Sequence, residues 1–202
     1  MKAGFAWAGV GKDVAERAGF VPVGHPVQDG DAFRLATPVS PLVQFFVQRV
    51  TATEVAPLAF VGVYVAAFEA EWRGRLLQTD LSPDLEGPLF GLHVGNVATL
   101  RPRPWVPASP SDQDANAVRD WLARVFEYAR LLPASLDALV SALETNKIAD
   151  HSVAAYRGHS VKIRGLIQWL RRTHGIDVSA RVLPLLTDQT DPYDVRVMLG
   201  EP

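Results

Sequence analysis

Apolar positions alternate with a period of two in the first half of the chain and recur every three to four residues in the second. In residues 42–50, Leu42, Gln44, Phe46, Gln48 and Val50 share one side, and Val43, Phe45, Val47 and Arg49 share the other. Residues 32–36 alternate in the same way, with Phe33 and Leu35 on one face. Both patterns predict half-buried strands. Residues 58–68 are apolar on both faces, which suits a central strand. Residues 89–94 make a fourth candidate. Gly30, Pro38, Pro41, Pro57 and the pair Gly87-Pro88 punctuate these runs, and short connections favour an antiparallel meander. Ahead of them, residues 12–18 read as a short helix stopped by Gly19.

Beyond residue 111 the period changes. Ala115, Val118, Trp121, Leu122, Val125, Phe126 and Ala129 form one stripe of a helix over residues 112–132, with Ser111 or Asp112 as its N-cap. Pro133 opens a second helix that turns Leu136, Leu139, Val140 and Leu143 inward. A third is expected from about residue 152 to His174. Its stripe is Val153, Tyr156, Ser160, Ile163, Ile167 and Leu170, and Gly175 closes it. Gly158 and Gly165 each weaken it by about 1 kcal/mol relative to alanine, with a break expected near Gly158. Residues 178–183 and 195–199 read as short strands.

The two textures meet in residues 101–110, where four prolines exclude a helix interior or a central strand. Charge does not change across this stretch: residues 1–110 hold 9 basic and 10 acidic side chains, and residues 111–202 hold 11 and 12. The pattern therefore predicts one α+β domain over residues 1–202. An antiparallel sheet of about four to six strands in the first half would be covered by three helices from the second. Residues 1–100 would be mostly β, 101–110 a connection, 111–175 helical, and 176–202 short strands and irregular chain.

Composition narrows the function classes. With 202 residues, 48% hydrophobic and 21% charged, the chain is of ordinary globular type. A net charge of -2 argues against a generally basic nucleic-acid binder. Cysteine is absent, which excludes disulfides, thiolate metal sites and a cysteine nucleophile. No window approaches the roughly 20 apolar residues of a membrane span. The apolar part of residues 1–10 is too short for a secretory leader, so the cytoplasm is the expected compartment.

No motif declares a chemistry. His25, His93, His151, His159 and His174 are the five histidines. His151 and His159, eight apart, would lie about 80° and about 12 Å apart on a helix, which makes no shared metal face. No G-x-S-x-G elbow or phosphate-binding loop occurs. No catalytic, cofactor-binding or metal-ligating residues are therefore expected. An enzyme could still assemble a site from His93, Glu69, Glu71, Arg34 and Arg49 on an open sheet face, since Glu69 and Glu71 on a strand would share a side.

The third helix is the most charged element. Arg157, Lys162, Arg164, Arg171 and Arg172 oppose Asp150 alone, and Arg157, Arg164 and Arg171 recur every seven residues beside the apolar stripe. Such a row suits an acidic protein face or a phosphate backbone. It also suits a solvated flank whose arginine stems cover apolar surface. Trp105, among the prolines, adds an aromatic anchor. These six residues (Arg157, Lys162, Arg164, Arg171, Arg172 and Trp105) form the candidate partner-binding set.

The order of several short motifs resembles a family of small bacterial α+β domains of unknown function, some of them encoded near polymorphic toxin and immunity loci. The matching residues are Gly19-Phe20, Phe33-Arg34, the strand Phe45-Phe46-Val47-Gln48-Arg49, the apolar run over residues 60–65, and Leu131-Leu132-Pro133 leading into Leu136-Asp137-Ala138-Leu139. The resemblance spans about residues 12–175. Where that family closes its apolar strand with Asn-Leu-Gly, this chain has Val65-Ala66-Ala67. The resemblance implies an α+β fold and a non-enzymatic protein-binding role, such as an immunity-type inhibitor of a cognate toxin. It brings no catalytic residues.

Overall fold

The alternation of residues 32–50 becomes strand pairing. Strands β1 (Val21–Pro22), β2 (Asp31–Arg34), β3 (Val39–Arg49), β4 (Glu54–Val65) and β5 (Phe90–His93) run side by side in chain order, and β6 (Val106–Pro107) pairs with β4. The result is a six-stranded antiparallel sheet within an α+β fold. Register is fixed by pairs such as Phe33 with Val43 and Arg34 with Leu42 across β2 and β3. It is fixed again by Val55 with Val106 across β4 and β6. Phe33 and Val43 are both buried, so a slip by one residue would turn each to the wrong side. Every residue of β4 from Val55 to Val65 is buried or half-buried, as its apolar character on both faces requires.

The computed structural model describes residues 4–23, 31–76, 90–101, 104–107, 110–152 and 160–185. Besides the sheet these hold helices α1 (Gly4–Arg17), α2 (Ala66–Leu76), α3 (Asp112–Ala129), α4 (Leu136–Glu144), α5 (Ser160–His174) and α6 (Ser179–Val182). A second, two-stranded sheet pairs β7 (Lys147–Ile148) with β8 (His151–Ser152). The chain divides into two units: residues 1–36, 41–62 and 92–132 form the first, and residues 37–40, 63–91 and 133–202 the second.

In the first unit, α1 buries Trp7, Val10 and Val14 along one stripe and packs against α3. Helix α3 buries Val118, Trp121, Leu122, Val125, Phe126 and Ala129, nearly the stripe expected from the sequence. The Phe126 ring meets Phe20 edge-on at 4.9 Å and Phe33 at 6.0 Å, joining the helix to the chain after α1 and to β2. Each side chain buried to this degree contributes about 1.5–3 kcal/mol. Ser111 caps α3 and exchanges a reciprocal bond with Asp114, which satisfies two N–H groups that the helix start leaves open. The buried Trp121 indole N–H donates to the Leu100 carbonyl at 3.1 Å.

In the second unit, α2 packs on α5 and α4 on α6. Phe68 and Trp72 of α2 lie one turn apart, and Phe68 meets Trp169 of α5 at 6.0 Å. Gly165 of α5 makes room for Trp72, since a Cβ there would sit 2.5 Å from the indole ring. Ser135 caps α4 by accepting from the Ala138 N–H. Gly175 adopts φ 69° just after α5, and its N–H donates to the Arg171 carbonyl.

Four expectations need correction. The first helix begins at Gly4, since Trp7 and Val10 continue the stripe of Val14 upstream of residue 12. The apolar strand ends at Val65, and residues 66–68 start α2, whose alanines and glutamates favour a helix. Within residues 178–183, 179–182 form α6 and Leu183 opens a 3-10 turn, with the Ser179 N–H bonded to the Asp177 carboxylate at the start of α6. Ser152 belongs to β8 and not to the third helix, which is described from Ser160. The break expected near Gly158 and the strand expected over residues 195–199 lie outside the described residues. Among the described residues, no helix is long and apolar enough to cross a membrane.

Candidate functional site

At about 100° per residue, α5 divides into three faces. Ile163, Leu166 and Leu170 lie within about 60° of one another and are buried. Lys162, Gly165, Trp169 and Arg172 form the second face, directed at α2. Arg164, Ile167, Gln168 and Arg171 form the third. With Asp177, Ser179 and Leu183 they line a pocket of about 290 Å³.

The second face neutralises its charges internally. Lys162 is fully buried, and its Nζ donates to Glu69 Oε2 at 2.8 Å. Two buried charges in contact offset a desolvation cost that either would meet alone. Nearer the end of α5, Arg172 donates to both oxygens of Glu71, and Arg75 donates to Oε1 at 2.8 Å. Burial pushes the Glu71 carboxyl up, but the hydrogen bonds and charges of Arg172 and Arg75 outweigh it and hold the group below its ordinary value.

The third face carries Arg164 and Arg171 along the pocket. Arg171 has a side chain 74% exposed and lies 3.9 Å from Asp177 Oδ2. That separation is an ion pair without a hydrogen bond. The Asp177 carboxylate accepts instead from the Ser179 hydroxyl and the Ser179 N–H. The Ser179 hydroxyl, then its N–H, then the Arg171 charge hold the Asp177 carboxyl below its usual range. Arg164 and Gln168 are half-buried on the same wall, and Ile167 and Leu183 supply apolar surface. The pocket is therefore lined by guanidinium, amide, hydroxyl and carboxylate groups beside a short apolar floor.

The candidate partner-binding residues fall into separate places. Arg164 and Arg171 come together in the pocket. Lys162 is a correction: it is buried on Glu69 and presents nothing to a partner, because its position turns it towards α2 and away from the arginine row. Arg172 stays about half-exposed but is engaged by Glu71. Trp105 is 56% exposed beside β6 in the first unit. Arg157 lies outside the described residues.

Four residues of the alternative enzyme site, Arg34, Glu69, Glu71 and His93, make structural contacts. Glu69 and Glu71 stand on a helix and not on a strand, a second correction. Two residues apart on a helix they point about 200° apart, one into the core and one to the surface. Arg34 is half-buried in the first unit and donates to the Leu35 carbonyl. His93, also in the first unit, accepts the Gly95 N–H on Nδ1 at 3.1 Å and stands edge-on to Phe60 at 5.1 Å. The Arg49 backbone lies in β3, and its side chain is outside the description. Among the described residues, no group of three or more His, Asp or Glu could hold a metal ion.

Sequence reasoning missed Gln168, Asp177 and Ser179. Gln168 was legible, standing four residues after Arg164 and three before Arg171, which places all three on one helix face. Asp177 and Ser179 were hidden because residues 178–183 read as a strand. The chain matches no family model, no curated protein and no solved structure.

Proposed function

We propose that the chain is a non-enzymatic protein-binding domain that uses the outer face of α5. The observation that supports this reading is the sorting of charge on that helix. Lys162 and Arg172 turn to Glu69 and Glu71 of α2, while the opposite face, with Arg164, Ile167, Gln168 and Arg171, lines a pocket large enough for a side chain of another protein. The same sorting weighs against the enzyme alternative, whose two carboxylates are committed to ion pairs. It also weighs against nucleic-acid binding through this helix. A phosphate backbone is held by many cations in a row, and Lys162 and Arg172 are engaged by carboxylates of α2.

The finer reading is an immunity-type inhibitor acting in the cytoplasm on a cognate bacterial toxin. It is carried by the resemblance of residues 12–175 to domains encoded near such loci. The test is affinity capture with the tagged full chain from lysate of the organism that encodes it, followed by mass spectrometry. One stoichiometric partner that survives a salt wash supports the reading. An empty bait at all salt concentrations removes it.

A further inference from the structure

We infer that the buried Lys162–Glu69 pair is a positioning device: it fixes the rotation of α5 against α2, and so decides which side chains the pocket face presents. Its bearing on a partner rests on the protein-binding reading above; its bearing on the helix does not.

Three observations lead to it. The first is where the charge stands. At about 100° per residue, Trp169 lies about 20° to one side of Lys162, and Leu166, Leu170, Ile163 and Ile167 lie about 40°, 80°, 100° and 140° to the other. All five are buried, and Lys162 is buried among them. The lysine therefore interrupts an apolar arc about 160° wide. So broad an arc holds a helix on its neighbours without choosing one angle about its axis. A turn of about 40° puts Leu166 in the direction of Lys162 and, at a radius of 5–6 Å, carries outer groups by about 4 Å. It draws Ile167 from the pocket lining towards the core and takes Arg164 and Arg171 with it. The second is energetic. Apolar residues of like volume commonly replace a buried pair at no loss of stability, so stability does not account for this one. What the pair does supply is a penalty on other angles. A shift of about 4 Å opens the 2.8 Å contact of Lys162 Nζ with Glu69 Oε2 and parts two charges that have little water to turn to. The third is the character of the surrounding contact. Gly165 offers bare backbone to the Trp72 ring, which sets how near the helices come and not the angle between their faces. The Phe68–Trp169 ring contact is apolar, and the Arg172–Glu71 clasp is part-exposed and screened by water. The Lys162–Glu69 bond is both buried and directional.

The test uses the tryptophans as reporters, since Trp72 and Trp169 stand at the contact and Trp121 stands away from it on α3. The full chain is labelled with fluorotryptophan and observed by fluorine NMR at neutral pH. Signals are assigned through Trp72→Phe and Trp169→Phe. The parent should give one sharp signal for each. In Lys162→Met/Glu69→Leu the Trp72 and Trp169 signals should split or broaden, the Trp121 signal should stay as it is, and the urea midpoint should not fall. Lys162→Arg, which keeps a cation and a donor at the same angle, should keep single signals. A role in stability alone would lower the midpoint and leave the signals single. Single sharp signals for both tryptophans in the folded double variant would overturn the assignment, as would splitting in Lys162→Arg or a double variant that does not fold. Where the parent captures a partner, the affinity of the double variant should fall by the reciprocal of the fraction of chains that keep the parent signal, about twofold if that fraction is half. Equal affinity with split signals would also overturn the link to the pocket face. The two levels fail separately. The NMR arm involves no partner, whereas capture of nothing by the parent removes the protein-binding reading and leaves the NMR result standing.

Discussion

Replacing Lys162 by Met strands the Glu69 carboxylate, whose side chain is only 9% exposed, without its ammonium partner. Replacing Glu69 by Leu strands the Lys162 ammonium, which is 0% exposed. Breaking one side of a buried pair costs about 3–5 kcal/mol, because the remaining charge has lost its water and its partner together. Additive effects would bring the double substitution to about 6–10 kcal/mol, most of the stability of an ordinary domain. The pair accounts for a different outcome. With both charges gone and methionine and leucine filling similar volume, the double variant should lie within about 1 kcal/mol of the parent, or above it. The assay is urea unfolding followed by tryptophan fluorescence at neutral pH on all four members of the cycle. A coupling of at least about 3 kcal/mol is expected. Single substitutions costing under about 1 kcal/mol each, or a double variant costing the sum, would refute the strong coupling of the buried pair.

Other substitutions test neighbouring parts of the account. Gly165→Ala should destabilise by about 1–3 kcal/mol despite the better helix former, because its Cβ meets Trp72 at 2.5 Å. Gly74→Ala in α2, where a Cβ meets nothing within 4 Å, should stabilise by up to about 1 kcal/mol in the same unfolding assay. Glu71→Gln should cost about 0.5–1 kcal/mol at neutral pH, a small figure because the pair is part-exposed. The Glu71 carboxyl titrates below its ordinary value of 4.5 in the folded chain. Its contribution is therefore fully present above that value and is lost as pH falls through the lower, folded one. Parent and Glu71→Gln unfolding midpoints should converge in acid, and a gap that stayed constant down to the acid limb would contradict the clasp. Ser135→Ala removes the acceptor for the Ala138 N–H at the start of α4 and should lower stability by about 1 kcal/mol in thermal unfolding.

Much of the architecture was legible because it is written locally. Strand β3 was marked by its pattern from residue 42, β4 is apolar on both sides, and α3 carries both a regular stripe and a serine cap. The failures have equally local causes. Residues 66–68 were absorbed into the preceding apolar run and Glu69 and Glu71 read as strand positions, although Phe68 and Trp72 stand one helical turn apart among alanines and glutamates. The start of α1 was masked by Gly4, Gly9 and Gly11. Gly11 is there because a Cβ would press on the Phe45 ring at 2.8 Å, a constraint set by a residue 34 positions away. For the site, the arginine row of α5 could be read from its sevenfold spacing. That Lys162 would be buried in an ion pair could not, since its partner Glu69 lies 93 residues earlier and was itself read as part of a strand. Partnership across such a separation depends on how helices pack, and periodicity carries no record of it.

The central claim is that the outer face of α5 engages a partner protein through Arg164 and Arg171. The most direct measurement is quantitative affinity capture from the native lysate, run side by side with the parent chain and the Arg164→Gln/Arg171→Gln variant, after circular dichroism has shown both folded. The account predicts one stoichiometric protein on the parent and at least about a tenfold loss on the variant. Equal recovery of that protein by both chains would contradict it.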